Sequence, residues 1–384
     1  MNSMYRMITL FIVTALASCS SAPAHRTVKP LTTTDNKIIS TLADELEREH
    51  LTGTFDGLVL VAEGNTVLFK SAYGYADRKG NVTNSVTTIS DMGSIAKTFT
   101  AAAVLQLVQH KKLQLSDTIG DLYPTAPMES QSITIKQLLG HASGLDNFHN
   151  DSDFELMDKA QAESRILAMP LIAKPGEKIA YSNAAYTLLA AIVEKTSGQP
   201  FQDYIQDHLL TPLNLNNTGF YHDSRLSTRN MARGYGGNDP GKTTFEKGLT
   251  WALIGAGGMV TSIDDLATWS AALKQGRIFP SGTPNSILME ANDRWLLGSL
   301  AQINVNGEAI IQMGGSTDYG YTALIQFVPN RDLLIVLLLN AHDDKYKNAT
   351  HHRLSRDHIL PTLLGGGPEL PNDSMQPRAN ASVD

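Results

Sequence analysis

The chain holds a single cysteine, Cys19, in 384 residues. Disulfides, cysteine-built zinc clusters and a thiol nucleophile are therefore excluded together. Basic runs are equally scarce: none exceeds Lys111-Lys112, and 38 Asp and Glu stand against 31 Lys and Arg, a balance that argues against nucleic-acid binding. Neither G-x-S-x-G nor H-E-x-x-H occurs, which disfavours an α/β-hydrolase elbow and a zincin-type metal site. His351, His352 and His358 have no carboxylate–histidine spacing beside them and read as exposed residues at a helix start. No internal repeat is found. What remains, 42% hydrophobic and 18% charged residues, describes a folded globular domain.

The first residues read as an export signal. Met1 to Arg6 carry one positive side chain, Met7 to Leu16 form an apolar run, and Leu16-Ala17-Ser18-Cys19 is a small-residue cleavage pattern ending in cysteine. The apolar run is about half of the roughly 20 residues a spanning helix needs. The expectation is a lipoprotein signal over 1–18, with Cys19 lipidated as the membrane attachment. By similarity to bacterial lipoprotein sorting, Ser20 after the cysteine favours the periplasmic face of the outer membrane. Residues 19–34, rich in Ser, Ala, Pro and Thr, read as a tether.

From Asp35 the character changes. Ile38, Ile39, Leu42 and Leu46 recur at helical spacing up to Leu51. Gly57 to Ala62 and Thr66 to Tyr73 are β-rich and joined across Glu63-Gly64-Asn65. Far along the chain, Ala301 to Val305 and Glu308 to Met313 flank Asn306-Gly307, a strong hairpin signal. Tyr321 to Val328 and Leu333 to Leu339 add strands, and Leu354 to Leu364 a closing helix. Strands at both ends with helices between imply an α/β protein of the α+β type: one antiparallel sheet from both chain ends, flanked by helices, beside a helical subdomain. The expected domain spans 35–364, with its sheet region at about 35–97 and 285–364 and its helical region at about 98–284. Residues 365–384 lack apolar period and read as a disordered tail.

Three stretches can carry chemistry. Ser94-Ile95-Ala96-Lys97 places a hydroxyl and an amine three residues apart, on one face if helical. A serine needs a base within hydrogen-bond reach, and a helix N-terminus favours developing negative charge. The plain alternative is a cap serine with an exposed lysine. Tyr181-Ser182-Asn183 offers a proton relay and a side-chain amide; equally it is a helix start capped by Ser182 or Asn183. Gln312-Met313-Gly314-Gly315 closes a strand, where a backbone N–H could join that of Ser94 in an oxyanion hole; it also reads as a simple turn. His141 reads as structural, because Lys97 and Tyr181 already suffice to activate a serine, and Glu177 as a turn former.

In this order, Ser-x-x-Lys, Tyr-Ser-Asn and the glycine motif resemble the serine β-lactamase and penicillin-binding-protein family, nearest its class C-like branch of esterases and D-peptidases. The resemblance covers about Phe55 to Asn340, and Ile133 to Leu145, Pro175 to Gly198 and Gly255 to Ser262 match it as well. It implies a cofactor-free, metal-free serine hydrolase with Ser94 as nucleophile. Lys97 and Tyr181 would share base and acid work, Asn183, Gln312, Gly314 and Gly315 would bind substrate, and the N–H groups of Ser94 and Gly315 would form the oxyanion hole. Gln312 stands where the family places Lys or His, so the grip on a substrate carboxylate would be weakened. The expected substrate is a carboxylic ester or D-amino-acyl amide or peptide. A true β-lactamase and a catalytically decayed cell-wall-binding or scaffold lipoprotein are the alternatives. Oligomeric state is not expressed in the sequence.

Overall fold

The computed structural model describes residues 33–148, 154–226, 231–237, 240–278, 295–296, 299–342 and 345–365. The signal segment, the Cys19 lipidation expectation, most of the tether and the expected tail lie outside these residues.

Helix α1 runs Thr33–Leu51, so it begins inside the segment expected to be tether. Its Leu42 and Leu46 are fully buried, as the helical spacing requires. Strands β1 (Phe55–Glu63), β2 (Thr66–Tyr73), β3 (Tyr75–Asp77), β4 (Val82–Thr83) and β5 (Ile89–Asp91) follow, then a 3-10 turn at Gly93–Ala96 that runs directly into α2 (Lys97–Gln109). The helical stretch holds α3 (Ile119–Leu122), α4 (Met128–Gln131), α5 (Ile135–Leu139), α6 (Lys159–Leu167), α7 (Asn183–Ser197), α8 (Phe201–Ile205), β6 (Gly219–Phe220), β7 (Met259–Ser262) and α9 (Ile263–Lys274). Strands β8 (Trp295–Leu296), β9 (Leu300–Val305), β10 (Glu308–Ser316), β11 (Thr322–Val328) and β12 (Leu333–His342) precede a C-terminal helix that starts at Thr350–Leu354, widens at Ser355–Ile359 and ends at Leu360–Leu364.

The main sheet has seven strands in the order β2-β1-β12-β11-β10-β9-β8, antiparallel throughout. The α+β architecture, with one sheet built from both chain ends and flanked by helices, is the one expected. Side chains alternate between two cores, as the twofold period of a strand dictates. Leu58, Leu60, Leu334, Val336 and Leu338 pack toward the middle helices. Val59, Val61, Ile335, Leu337 and Leu339 pack toward α1 and the C-terminal helix. Both faces being covered explains why β12 reads as an unbroken apolar run.

The 3-10 turn packs against β10. Helix α2 behind it is buried along almost its whole length. Phe99 stacks on Trp269 of α9 at 3.8 Å, and the Trp269 indole donates to Thr98 Oγ1 at 2.8 Å. The turn that carries Ser94 thus sits on a rigid base, which is where a precise site belongs.

Candidate active site

Ser94 lies inside the 3-10 turn and Lys97 is the first residue of α2. The continuous helical path brings their side chains together: Lys97 Nζ donates to Ser94 Oγ at 3.1 Å. Lys97 is not the exposed lysine of the plain alternative. It is fully buried, and its Nζ also donates to the Ala256 carbonyl at 2.7 Å. Burial of an amine this deep is tolerated only with such partners.

Tyr181 comes from 87 residues downstream, and its hydroxyl donates to Ser94 Oγ at 2.7 Å. Lys97 Nζ lies 4.9 Å from the Tyr181 ring centre. Ser182 is the N-cap of α7, accepting from Ala185 N at 3.0 Å. The capping alternative and the approach of Tyr181 to Ser94 are therefore both realised: the cap orients the turn that presents the tyrosine. Asn183 opens α7 and lines the same cleft as Ser94. Glu177 accepts from Lys174 N at 3.1 Å, a turn contact.

His141 is fully buried with φ +55°. Its Nδ1 accepts the Ser182 N–H at 3.2 Å, so in the neutral ring Nε2 carries the proton and donates to Ser299 Oγ at 2.9 Å. Its ring stacks on Tyr181 at 4.7 Å. The imidazole thus supports the tyrosine and its backbone from behind.

Strand β10 requires a correction. Thr317 N donates to Tyr321 O at 3.1 Å, so by strand alternation Gly315 also turns its N–H toward β11, and Ser316 turns its own toward the opposite edge. That edge carries no β9 partner beyond Gln312, and Ser316 lines the cleft. The N–H beside Ser94 belongs to Ser316, not Gly315. Side chains alternate too. A Cβ on Gly315 would lie 2.1 Å from Met92 O and 2.9 Å from Ser94 N, whereas one on Gly314 would meet the His351 and His352 imidazoles. Gly315 therefore faces Ser94, and Gly314 and Gln312 face the other way. Gln312 Oε1 accepts from Gln326 Nε2 at 2.7 Å, and Gln326 in turn accepts from Ser355. Gln312 therefore cannot hold a substrate carboxylate. With Gly315 as the motif glycine, the Lys or His position is Met313, buried on the Ser94 side. Methionine offers neither charge nor a hydrogen-bond donor.

Sequence reading missed several site residues. Asp91, buried at the end of β5, accepts from Gly93 N at 2.7 Å and holds that turn at φ +51°; its other oxygen receives Tyr221 and Thr244. An acidic residue three before a nucleophilic serine was the available signal. Phe154, Tyr221, Leu253 and Thr317 complete a narrow cleft with no charged residue among the described residues that line it. They lie far apart in sequence and gave no signal. His351 is buried, not exposed. Among the described residues, no group of three or more His, Cys, Asp or Glu is placed to hold a metal ion.

The buried imidazoles have a measurable consequence. Burial, followed by the charge of Lys97, pushes His141 down to about 3, and burial holds His351 well below its usual range. Below the unfolded value of about 6.5 the unfolded chain binds these protons and the folded chain does not. Stability is complete above that pH and falls as pH drops, by up to about 1.4 kcal/mol per unit for each ring, the His141 part running down to about 3. Thermal melts between pH 7 and 4.5 should show a falling midpoint, less steep in His141→Asn, which also suits a positive φ. An equal slope in that variant would rule out His141 as a contributor.

A model of the Beta-lactamase family matches residues 43–357. The chain is 28% identical over 345 residues to Protein flp of Staphylococcus aureus strain MW2, spanning 84% of this chain and 66% of that protein's length. It is 27% identical over 376 residues to penicillin-binding protein 4* of Bacillus subtilis strain 168, 90% and 81% respectively. In fold it is similar to the D-amino acid amidase of Ochrobactrum anthropi SV3, with TM-score 0.72 at 20% identity over 87% of this chain and 99% of that one. The octameric penicillin-binding protein homologue from Pyrococcus abyssi superposes with TM-score 0.71 at 22% identity, over 87% and 78%. With most of its length matched by the family model and Ser94, Lys97 and Tyr181 in mutual contact, the chain belongs to the beta-lactamase family.

Proposed function

We propose that this protein is an acyl-transferring serine hydrolase acting on an uncharged carboxylic ester or D-amino-acyl amide. The convergence of Lys97 Nζ and Tyr181 OH on Ser94 Oγ carries the reading. One of the two, in its deprotonated form, takes the Ser94 proton as Oγ attacks the substrate carbonyl. The new oxyanion lies between the N–H groups of Ser94 and Ser316. The retained proton passes to the leaving oxygen or nitrogen as its bond to the acyl carbon breaks. Water then attacks the acyl-Ser94 ester with Tyr181 as base, releasing the acid and restoring the hydroxyl. Asn183 orients the acyl group. Met313 at the position expected to be cationic, together with the absence of charge among the described lining residues, supports a neutral substrate over a β-lactam carboxylate. The leader pattern ending at Cys19 supports lipid attachment to the bacterial envelope.

The test is labelling with a fluorophosphonate probe, alongside turnover of short-chain nitrophenyl esters, D-amino-acid amides and a chromogenic cephalosporin. Ser94→Ala should abolish both labelling and turnover. Fractionating cells that carry the full chain or Cys19→Ala reads the location in the same preparation. Absence of any labelling or turnover would reject the enzyme reading in favour of a decayed binding protein; faster cephalosporin than ester turnover would reject the substrate ranking.

A further inference from the structure

We infer that Thr317 forms a subsite for an uncharged hydrogen-bonding group of the substrate, a carboxamide or ester carbonyl flanking the scissile bond. The inference deepens the serine-hydrolase reading and rests on it. Thr317 lies two residues beyond Gly315 and so projects toward the Ser94 side of β10. It lines the cleft with Ser94 and is 9% exposed. Its backbone N–H is committed to Tyr321 O, but its Oγ1 is buried without a partner. A buried hydroxyl left unsatisfied carries a standing desolvation cost, and a ligand atom placed against it removes that cost.

The rest of the cleft decides the charge of that ligand atom. Among the described residues that line it there is no lysine, arginine or histidine, and Phe154, Tyr221 and Leu253 supply apolar surface. The Tyr221 hydroxyl is already given to Asp91. A carboxylate brought beside Thr317 would be stripped of water with one neutral hydroxyl in return, whereas a carbonyl of an amide or ester loses far less. Thr317 thus takes a neutral acceptor, and Met313, buried on the same face, supplies no charge there to reverse that choice.

The test reads binding rather than turnover, so it stands whether or not Ser94 is catalytic. Calorimetric titration of Ser94→Ala with N-acetyl-D-alanyl-D-alanine and with its C-terminal carboxamide should show the carboxamide binding at least about tenfold tighter. Adding Thr317→Val, which keeps the shape and removes the hydroxyl, should weaken the carboxamide about three- to tenfold, and Thr317→Ser should retain the affinity. Equal or tighter carboxylate binding, no change on Thr317→Val, or no binding of either ligand would each overturn the subsite. Labelling of Ser94 in the unaltered chain is read separately. Labelling without a Thr317 effect defeats the subsite alone, and a Thr317 effect without labelling defeats only the hydrolase reading.

Discussion

Replacing Lys97 by methionine is expected to lower kcat/KM on an ester substrate by about 10²–10⁴-fold, the range of a lost general acid–base group. Methionine is similar in length but carries no N–H to donate to Oγ and no amine to take its proton. Because Lys97 is fully buried and hydrogen-bonded to both Ser94 and Ala256, the substitution also leaves the Ala256 carbonyl short of a donor, worth about 1–3 kcal/mol of stability. A folded protein with a lowered melting point and a collapsed turnover rate is the expected outcome. Tyr181→Phe, measured in parallel, removes the other contact to Oγ while keeping the ring that stacks on His141. Single-turnover kinetics then separate the roles. A larger loss in acylation for Lys97→Met and in deacylation for Tyr181→Phe fits the mechanism above, and Lys97→Met retaining the full rate would remove lysine from it.

The second large effect is expected at Gly315. A Cβ there would lie 2.1 Å from Met92 O and 2.9 Å from Ser94 N, both backbone atoms that cannot swing aside. Gly315→Ala must push β10 off the 3-10 turn, which parts the N–H groups of Ser94 and Ser316. Loss of one oxyanion donor costs about 10²–10³ in kcat, and Gly315→Ala should fall in or beyond that range. Gly314→Ala is the control. Its Cβ would press on the His351 and His352 rings, so the cost falls on packing behind the sheet, with kcat within about tenfold of the parent. Both are read by kcat/KM and thermal melting together. If Gly314→Ala loses as much kcat as Gly315→Ala, the assignment of the two faces of β10 is wrong.

That assignment marks the boundary of what sequence could settle. The hairpin about Asn306-Gly307 and the strands on either side of it are found where local turn chemistry placed them, with β10 running on three residues to Ser316. The phase of β10 was not legible. A strand shows its faces by alternating apolar and polar residues, and a one-residue slip reverses every side chain. Ile310-Ile311-Gln312-Met313-Gly314-Gly315 alternates nowhere, since two adjacent isoleucines and two adjacent glycines look alike from either side. The motif glycine was therefore taken with Gln312 two residues before it, when Met313 occupies that place.

The Ser94–Lys97 pair, by contrast, is a local geometry. Three residues along one continuous helical path determine their approach whatever surrounds them, and the strands at both chain ends follow from period and turn residues alone. Tertiary structure decided the rest: Tyr181 over Ser94, Ala256 and Asp91 as buried anchors, and Thr317 unpartnered in the cleft. The partners of Ser94, Asp91 and Lys97 come from 87 to 159 residues away, and no local propensity encodes a contact at that separation. Sequence alone brought Ser94 and Lys97 together as a candidate pair. Sequence already placed an uncharged residue where the family has lysine or histidine; only the folded chain showed that this residue is Met313, facing the site, and that Gln312 faces away.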